Sequence, residues 1–382
     1  MPAPMPPSHF SRRFAFDIRQ LCLGPSGDRT HLLGLLREFP ALAAEDEFLL
    51  CLNENCLHEP QELPPAPNMQ VRTVPCRPGW LWTPLAWPRM LRRERVAVAH
   101  GVYLVPPLAP CPTVVTIHDV SFMAHPEWFP RRELRLMRRL IPLSARRATR
   151  IVTGSAHAAD EIAQYLRVPR GKIVVIPYGP GPGAAPADGD EARARVAKRY
   201  GLRDRYVLAV GLLQPRKNLL RLLEAFAMIA PAHPEVQLAI VGATGWGHEP
   251  FHARLRELAL ADRVVLCGRV PDDDLRLLYR AAALLAYPSL YEGFGLPPLE
   301  AMAGGTPVIA SNSTAIPEVV GEAALLFDPL DLAAMAAAMA AVLDDPALAA
   351  RLSEAGPPRA AQFSWATAAA AYLRLLRELS NQ

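Results

Sequence analysis

The sequence predicts a doubly wound α/β fold divided into two domains. Short apolar runs alternate with longer segments of helical period along almost the whole chain. The pattern breaks once, near the middle, at a segment rich in proline, glycine and alanine. The length of 382 residues also exceeds the size at which a single hydrophobic core usually stops growing.

The predicted strands are short, continuous and rich in valine, isoleucine or leucine, which is typical of strands buried on both faces of a parallel sheet. The first half of the chain contains five of them, at residues 13–18, 47–52, 113–117, 150–154 and 172–176. The second half contains six, at residues 206–211, 237–242, 263–268, 284–288, 307–310 and 324–327.

Helical periodicity fills the segments between the strands. In "NLLRLLEAFAMIA" the apolar residues recur at helical spacing and predict one buried stripe, with Asn218 as the N-cap. The stripe consists of Leu219, Leu222, Leu223, Phe226 and Ile229. Repeated units of strand and helix of this kind build a doubly wound sheet.

The proline-rich break sets the domain boundaries. Residues 177–190 are predicted to be a linker between an N-terminal α/β domain, 13–176, and a C-terminal α/β domain, 191–358. Residues 1–12 are predicted to be a disordered lead. Residues 359–382 are predicted to form helices that pack back on the N-terminal domain, because no strand follows them. Ligands are expected in a cleft at the carboxyl ends of the strands.

The composition excludes several classes of protein. A hydrophobic content of 51% and a charged content of 20% indicate a globular protein. No apolar run is long enough to predict a membrane span, and the N-terminus lacks the basic start and apolar stretch of a secretion signal. The six cysteines include no C-x-x-C pair, so we expect them to be reduced in a cytoplasmic protein.

Positive charge is concentrated in the first half of the chain. Residues 1–180 hold 22 Lys and Arg against 15 Asp and Glu, whereas the remainder holds 19 against 22. Eight arginines lie in 131–150, and a second basic stretch, 87–95, follows Trp80 and Trp82. Such a surface can contact the inner face of an anionic plasma membrane or an acidic acceptor; two solvated helix faces are the alternative. We expect no nucleic acid partner.

The stretch "VGLLQPRKNLL" predicts an anion site. A buried strand ends at Gly211, and Arg216 and Lys217 then precede a helix. The helix N-terminus, free backbone N–H groups and two cationic side chains converge there, which favours phosphate. An exposed basic turn before a helix is the alternative.

Polar or flexible residues also follow other predicted strands. His118 and Asp119 close a buried strand on the expected cleft side and would point at a ligand; a loop histidine bonded to backbone groups is the alternative. Gly24 and Gly27, after the first strand, could let the backbone approach a phosphate. A second glycine loop, 242–247, has the same potential, but each loop is a weak signal by itself.

Two glutamates lie eight residues apart in "SLYEGFGLPPLEAMAGGTPVI". Glu292 lies on a loop with Gly293 and Gly295, which permit close approach of the backbone to phosphate or sugar oxygens. Two prolines then predict the start of a helix. Glu300 lies in the first or second turn of that helix, where its carboxylate can accept two neighbouring hydroxyls such as those of a ribose.

Two stretches imitate metal sites. "HEPFH" matches the zinc protease pattern, but Pro250 belongs at a helix start, which leaves His248 outside the helix. "PDDDL" is explained by Asp272 as an N-cap with two further acidic residues in the first helical turn. We therefore expect no metal and no cofactor.

Taken together, these stretches resemble a known family. The E-x7-E pattern of "EGFGLPPLE", the earlier "PRKN" and a linker between two α/β halves resemble the retaining glycosyltransferases of family four. That family has the GT-B fold, in which two Rossmann-like domains face a cleft. "TIHDVSF" and "HPEWF" further resemble its mannosyltransferase-like branch, which builds bacterial surface polysaccharides. The resemblance covers about residues 13–375 and is strongest over 206–328.

The resemblance implies a role for each matching residue. Arg216 and Lys217 would bind the donor diphosphate and stabilise its charge as it leaves. Glu300 would bind the ribose hydroxyls, and Glu292 would hold the donor sugar. His118 would contact the transferred sugar, and it joins Arg216, Lys217 and Glu292 as an implied catalytic residue. The remaining candidate donor-binding residues are Gly27, Gly211, Gly268, Val270, Gly293, Phe294, Gly295 and Leu296, with the backbone from Gly268 to Val270 against the base.

The implied activity is a metal-independent transfer of mannose or a related hexose from a GDP- or UDP-linked donor to a hydroxyl of a glycan or lipid-linked acceptor, with retention. A catalytically degenerate GT-B protein that binds nucleotide-sugar or serves as an assembly partner is the main alternative. Arg29 stands at the second glycine of the family's G-x-G-R-Y loop, and Gln214 stands where Glu or Ser is usual. Residues 53–95, where the family binds acceptors, match no pattern that identifies one.

Overall fold

The computed structural model describes residues 11–22, 26–54, 56, 63–181 and 190–381. The chain forms two compact units. The first consists of Met1–Ala124, Pro130–Gly179 and Trp365–Gln382. The second consists of His125–Phe129 and Pro180–Ser364.

The first unit contains a seven-stranded parallel sheet in the order β3-β2-β1-β4-β5-β6-β7. Its strands are β1 (Arg12–Asp17), β2 (Asp46–Asn53), β3 (Met69–Val74), β4 (Val98–Val102), β5 (Thr113–Thr116), β6 (Arg150–Thr153) and β7 (Ile173–Val175). The helices between them are α1 (Gly27–Leu42), α2 (Trp87–Arg93), α3 (Ser121–Ala124), α4 (Arg131–Arg147) and α5 (Ala156–Leu166). The strand order reverses between β1 and β4, where open α/β sheets leave a crevice for ligands.

The second unit contains a six-stranded parallel sheet in the order β10-β9-β8-β11-β12-β13. Its strands are β8 (Tyr206–Val210), β9 (Gln237–Val241), β10 (Val264–Gly268), β11 (Leu284–Tyr287), β12 (Val308–Ser311) and β13 (Leu325–Phe327). Its helices are α6 (Asp190–Tyr200), α7 (Leu219–Ile229), α8 (Glu249–Glu257), α9 (Asp272–Ala281), α10 (Leu296–Ala303), α11 (Ile316–Val320), α12 (Leu332–Asp344) and α13 (Pro346–Ala360). The doubly wound prediction is confirmed in both units.

Each sheet is covered by apolar helix faces. In the second unit the predicted stripe of α7 is buried and packs against β8, β9 and α12. In the first unit Phe14 and Phe16 on β1 join Phe39 on α1 and Phe48 on β2, and the rings of Phe39 and Phe48 stack with centroids 5.1 Å apart. These cores fix the strand ends from which the polar residues project.

Two strands were absent from the sequence prediction. β3 is an edge strand whose residues are mostly half-buried, so its sequence "MQVRTV" mixes polar and apolar residues. β4 is fully buried, but its sequence "VAHGV" contains His100 and Gly101. His100 is tolerated in the core because its Nε2 bonds Thr116 Oγ1 at 2.9 Å, and burial lowers its pKa to about 3, so it is neutral.

The C-terminal segment that belongs to the first unit begins at Trp365, whereas the sequence predicted that it begins at residue 359. The last helix, α14 (Trp365–Ser380), packs against α1 of the first unit, whereas residues 359–364 stay with the second unit. Phe363 holds that segment by packing on Phe294, with ring centroids 5.8 Å apart. Trp365 then packs closely against Gly34 on α1, where an added Cβ would lie 2.2 Å from the indole ring.

Two helix N-caps in the structure differ from the predicted ones. Asn218 occupies the N-cap position of α7, but it is left-handed (φ +56°) and its side chain makes no capping hydrogen bond. Its amide instead donates to the carbonyls of Pro288 and Pro329, at 3.1 and 2.8 Å, and so ties three loops together. Asp272 is the first residue of α9 rather than its N-cap, which is Pro271.

The expectation that all six cysteines are reduced is wrong for one pair. Cys22 and Cys56 form a disulfide with Cα atoms 5.6 Å apart. The two residues are distant in sequence, but they follow β1 and β2, which are neighbours in a parallel sheet and end at the same edge. The other four cysteines are free.

Residues 1–10 of the predicted disordered lead and 182–189 of the predicted linker lie outside the described residues. Within the described part of the chain, no single helix has both the length and the apolar character to cross a membrane. One bent pair, Leu332–Asp344 with Pro346–Ser380, meets those two criteria by length and composition alone.

Candidate active site

The "PRKN" segment makes a tight turn between β8 and α7. Gly211 follows β8 with φ +155°, and Pro215–Lys217 form a 3-10 turn directly before α7. A Cβ on Gly211 would lie 3.2 Å from the side-chain carbons of Lys217. A glycine at this position therefore leaves room for the lysine side chain beside the strand end.

Arg216 and Lys217 converge on Glu292. Lys217 Nζ donates to Glu292 Oε1 at 2.6 Å, and Arg216 Nη1 donates to Glu292 Oε2 at 3.0 Å. Each carboxylate oxygen of Glu292 thus accepts a hydrogen bond from one cationic side chain. Lys217 also donates to the Tyr287 hydroxyl at 2.9 Å, and Arg216 Nη1 donates to the Tyr291 carbonyl at 3.0 Å. These contacts hold both cations in a fixed orientation at the carboxyl ends of β8 and β11.

This cluster is shielded from water and keeps its charges. The side chains of Lys217 and Glu292 are 11% and 9% exposed. Burial alone would raise the pKa of Glu292, but the charges of Arg216 and Lys217 and the hydrogen bond from Lys217 outweigh burial and lower the pKa to about 2. Glu292 is therefore ionised at neutral pH, and the cluster carries one net positive charge.

The loop after Glu292 leads into α10. The Glu292 N–H donates to Thr314 Oγ1 at 2.9 Å, and Phe294 is buried against Phe363. Gly293 is buried between them. Gly295 occupies the N-cap of α10 with φ +123°, a conformation that L side chains rarely adopt. Leu296 begins the helix, and the two prolines follow it as predicted.

Glu300 lies in the second turn of α10. Its partner is Tyr279, which was not among the residues predicted from the sequence. The Tyr279 hydroxyl donates to Glu300 Oε2 at 2.8 Å, and the backbone N–H of Gly181 donates to the same carboxylate. Burial, together with the charge of Asp272, raises the pKa of Glu300 to about 7 in spite of those two hydrogen bonds. Glu300 therefore changes its charge near neutral pH, and Glu292 does not.

The candidate base-binding residues lie at the end of β10 and directly after it. Gly268 has φ +65° with no atom near its missing Cβ, and Val270 lies two residues further along the same loop. Gly242, in the neighbouring loop after β9, donates its N–H to the Gly268 carbonyl at 2.9 Å. An added Cβ on Gly242 would lie 2.0 Å from the Gly211 carbonyl oxygen. These glycines let three loops approach at the carboxyl ends of β8, β9 and β10.

His118 and Gly27 belong to the first unit. His118 Nδ1 bonds the Tyr178 hydroxyl at 2.8 Å, and its Nε2 lies 3.4 Å from Asp28 Oδ1. Burial raises the pKa of Tyr178, so its hydroxyl stays protonated at neutral pH. Asp28 and Tyr178 were not predicted as partners of His118, because nothing in the spacing of the three residues along the chain links them.

The other predicted residues of this unit have ordinary structural contacts. Gly27 is the first residue of α1, which is capped by the Ser26 side chain accepting from the Arg29 N–H at 3.2 Å. Asp119 Oδ1 accepts from the N–H and the hydroxyl of Ser121 at 2.9 and 2.6 Å, so it caps the next helical turn. No three His, Cys, Asp or Glu side chains among the described residues group as metal ligands do.

Two family models match the chain. The model described as "Glycosyltransferase Family 4" matches residues 25–179, and the model "Glycosyl transferases group 1" matches residues 190–359. The O-antigen chain mannosyltransferase B of Escherichia coli is 33% identical over 282 residues, which are 73% of each chain. The serotype-specific mannosyltransferase WbdA of Escherichia coli is 32% identical over 68% of this chain, but that match spans only 32% of its own length.

Solved structures show the same fold. Sucrose-phosphate synthase from Thermosynechococcus elongatus superposes with a TM-score of 0.76 at 21% identity, over 96% of this chain and 99% of that one. WaaG, a glycosyltransferase involved in lipopolysaccharide biosynthesis, gives a TM-score of 0.71 at 15% identity, over 95% and 99%. The GT-B prediction is thereby confirmed. With two family models covering most of its length and a relative above 30% identity, the chain belongs to glycosyltransferase family 4.

Proposed function

We propose that this glycosyltransferase moves mannose or a related hexose, with retention, from a GDP- or UDP-sugar to a hydroxyl of a glycan or lipid-linked acceptor in cell-surface polysaccharide synthesis. The observation that carries the proposal is the buried cluster of Arg216, Lys217 and Glu292 at the carboxyl ends of β8 and β11. The choice of mannose is supported by the O-antigen mannosyltransferase of Escherichia coli, which is similar over most of this chain.

The donor diphosphate binds Arg216 and Lys217. Both cations are already oriented by Glu292 and by the Tyr287 and Tyr291 oxygens, so little reorganisation accompanies binding. An arginine can bind two phosphate oxygens, while a lysine acts as a point charge. Because the cluster is shielded from water, its charges stabilise the leaving diphosphate more strongly than they would in solution.

The nucleoside and the sugar bind the loops on either side. Glu300 accepts the two ribose hydroxyls in its ionised form, and the backbone from Gly268 to Val270 holds the base. The backbone of Gly293 to Leu296 holds phosphate and sugar oxygens next to Glu292. A nucleotide-sugar donor is also supported by the similar fold of HepE from Anabaena, solved with UDP and glucose, at a TM-score of 0.74 and 20% identity.

The transfer follows a front-face path. The acceptor hydroxyl oxygen bonds to the anomeric carbon on the face from which the diphosphate departs, so the configuration is retained. The bond between that carbon and the phosphate oxygen breaks, its electron pair stays on the diphosphate, and the hydroxyl proton passes to the departing phosphate oxygen. His118, oriented by Tyr178 and Asp28, contacts the transferred sugar. Arg216 and Lys217 compensate the charge that develops, and no metal is required.

A peripheral contact with the inner face of the plasma membrane completes the proposal. Leu136, Leu140 and Leu143 are 61%, 38% and 43% exposed on α4, at positions that share one helix face. Seven arginines lie on the same helix without an Asp or Glu at ion-pair distance in the described residues; they are Arg131, Arg132, Arg135, Arg138, Arg139, Arg146 and Arg147. Exposed leucines with unpaired arginines match the chemistry of an anionic lipid surface.

A panel of donors tests the activity. The protein is incubated with GDP-, UDP-, ADP- and dTDP-sugars, and release of nucleoside diphosphate is followed with and without a membrane extract as the acceptor source. Release from one donor that is stimulated by the extract, and lost in Lys217→Ala and Glu300→Ala, supports the proposal. Arg29, at a position where the family has glycine, favours the degenerate protein instead; that protein would bind a donor without releasing nucleoside diphosphate with any acceptor.

A further inference from the structure

We propose that residues His125–Phe129, here called the crossing segment, position Arg216 for its contact with the donor diphosphate. This inference rests on the proposed function. The chain on both sides of the crossing segment belongs to the first unit, whereas the segment itself belongs to the second. The segment includes the "HPEWF" stretch, to which neither the fold nor the donor contacts assign a role.

The crossing segment packs on Tyr291, the residue before Glu292. His125 stacks on Trp128 with ring centroids 4.0 Å apart and an interplanar angle of 13°. Both rings meet Tyr291 edge-on, at 5.9 Å for His125 and 6.5 Å for Trp128. Tyr291 is only 2% exposed, so its position is fixed by these rings and by the loop that carries it.

A second contact fastens the segment to the loop after β9. The Trp246 indole N–H donates to the Trp128 carbonyl, and the Phe129 and Trp246 rings pack with centroids 6.1 Å apart. Trp128 also lines a cavity of about 380 Å³ together with Gln214, Pro215 and Leu290. The segment therefore touches the loops after β9 and β11 and flanks the turn that carries Arg216.

A single residue, Tyr291, links the crossing segment to Arg216. The Tyr291 carbonyl accepts from Arg216 Nη1 at 3.0 Å, and the Leu290 N–H donates to the Arg216 carbonyl at 2.9 Å. The same Nη1 reaches Glu292 Oε2 at 3.0 Å. Loss of the rings that pin Tyr291 would let its carbonyl shift, and the guanidinium would shift with it. Trp128 and His125 are thus positioning residues that act through Tyr291.

The test uses the full-length protein and its best donor from the panel. In Trp128→Ala we expect kcat to fall by about tenfold, because misalignment at the departing phosphate affects the transition state more than substrate binding. We expect the melting temperature to change little and Trp128→Phe to recover most of the loss. Met228→Ala is the control, because Met228 is 56% exposed on α7 and is not among the residues assigned to the donor, the acceptor region or the membrane contact.

A double-mutant cycle separates positioning from a structural role. If Trp128 acts through Arg216, then Trp128→Ala in an Arg216→Lys background lowers kcat by less than about twofold further. The inference would be overturned if the loss of kcat in the double variant equalled the product of the losses in the two single variants. An unchanged kcat in Trp128→Ala would overturn it as well. His125→Ala serves in the same cycle if Trp128→Ala does not fold. A wild-type protein that turns over no donor would instead remove the proposed function, and this inference with it.

Discussion

Lys217 and Glu292 form a buried ion pair, with Nζ 2.6 Å from Oε1. The two residues are 75 positions apart in sequence, and the parallel pairing of β8 with β11 brings the loops that carry them together. Glu292 accepts a second cation through its other oxygen, so the pair is the centre of a three-residue cluster. Its burial makes the cluster sensitive to the loss of any one charge.

Removal of one partner of this pair should be costly for stability. We expect Lys217→Met to lower the free energy of unfolding by about 3 kcal/mol, because Glu292 loses its closest cation in a site that excludes water. In the double variant Lys217→Met/Glu292→Leu, most of that loss should be recovered while activity stays absent. Urea unfolding of the three proteins measures the difference, and a double variant as unstable as the sum of its parts would contradict the electrostatic explanation.

Glu300 should make stability depend on pH between about pH 4.5 and about pH 7. Its pKa is raised in the folded protein from an ordinary 4.5 to about 7, so its contribution to stability is fully present below pH 4.5 and is lost as the pH rises through 7. The size of that loss is roughly 3 kcal/mol. Glu300→Gln should remove it, which urea unfolding at a series of pH values would show as a flatter curve. Parallel curves for the two proteins would refute the shifted pKa.

The same ionisation should govern nucleotide binding. The ionised carboxylate offers a charged acceptor oxygen to each ribose hydroxyl, whereas protonation turns one oxygen into a donor, so affinity for the nucleoside diphosphate should rise by about tenfold from about pH 6 to about pH 8. Titration calorimetry at each pH measures this rise. Glu300→Gln binds more weakly and serves as the control for ionisation of the nucleotide itself. An identical pH dependence in the variant would mean that Glu300 does not contact the ribose.

Two glycines of the strand-end loops should respond differently to alanine. Gly242→Ala places a Cβ 2.0 Å from the Gly211 carbonyl oxygen at φ +150°, and backbone atoms cannot move aside cheaply. Gly268→Ala meets no atom within 4 Å and carries only the strain of φ +65°. We expect a loss of about 1 kcal/mol for Gly268→Ala and a severalfold larger loss for Gly242→Ala. Thermal unfolding compares them, and equal losses would show that close packing of these loops is not what requires Gly242.

Removal of divalent metal should leave the activity intact. In the proposed mechanism, Arg216, Lys217 and the N-terminus of α10 supply the positive charge that the departing diphosphate needs. Dialysis against EDTA should therefore change the rate by less than about twofold. A larger loss that Mg²⁺ or Mn²⁺ restores would show that the charge compensation proposed here is incomplete.

The proposed membrane contact makes a separate prediction. The protein should sediment with vesicles that contain about 30% anionic lipid but not with neutral vesicles. Leu136→Glu/Leu140→Glu should abolish that sedimentation, because it places negative charge on the exposed apolar face of α4. The same pair of substitutions should not affect nucleotide binding, which we propose to occur in the second unit. Equal sedimentation of variant and wild type would exclude this face of α4.

Much of the fold was predictable because buried parallel strands leave a strong sequence signal. Each of the eleven predicted runs overlaps an observed strand, with boundaries that differ by at most one residue. The misses have local causes. β3 lies at a sheet edge and is half-exposed, and β4 contains His100, which is buried as a neutral, hydrogen-bonded side chain. The Cys22–Cys56 disulfide depends on strand pairing, which spacing along the chain does not reveal.

The candidate site was predictable as a set of residues but not as a set of contacts. Spacing and residue type selected Arg216, Lys217, Glu292 and Glu300. Their sequence does not show that Glu292 pairs with both cations, nor that Tyr279 donates to Glu300. The opposite pKa shifts of the two glutamates follow from those contacts and from burial, so they could be derived only from the folded chain.

Binding of nucleoside diphosphates tests the central claim most directly, which is that the Arg216–Lys217–Glu292 cluster holds the donor diphosphate. Titration calorimetry compares GDP and UDP on the wild type and on Lys217→Met, with Met228→Ala as the control. The proposal predicts that one nucleotide binds the wild type and the control equally, and that Lys217→Met weakens it by about a hundredfold, as expected for a lost charge-assisted contact of about 3 kcal/mol. Equal affinity in a folded Lys217→Met would contradict the claim.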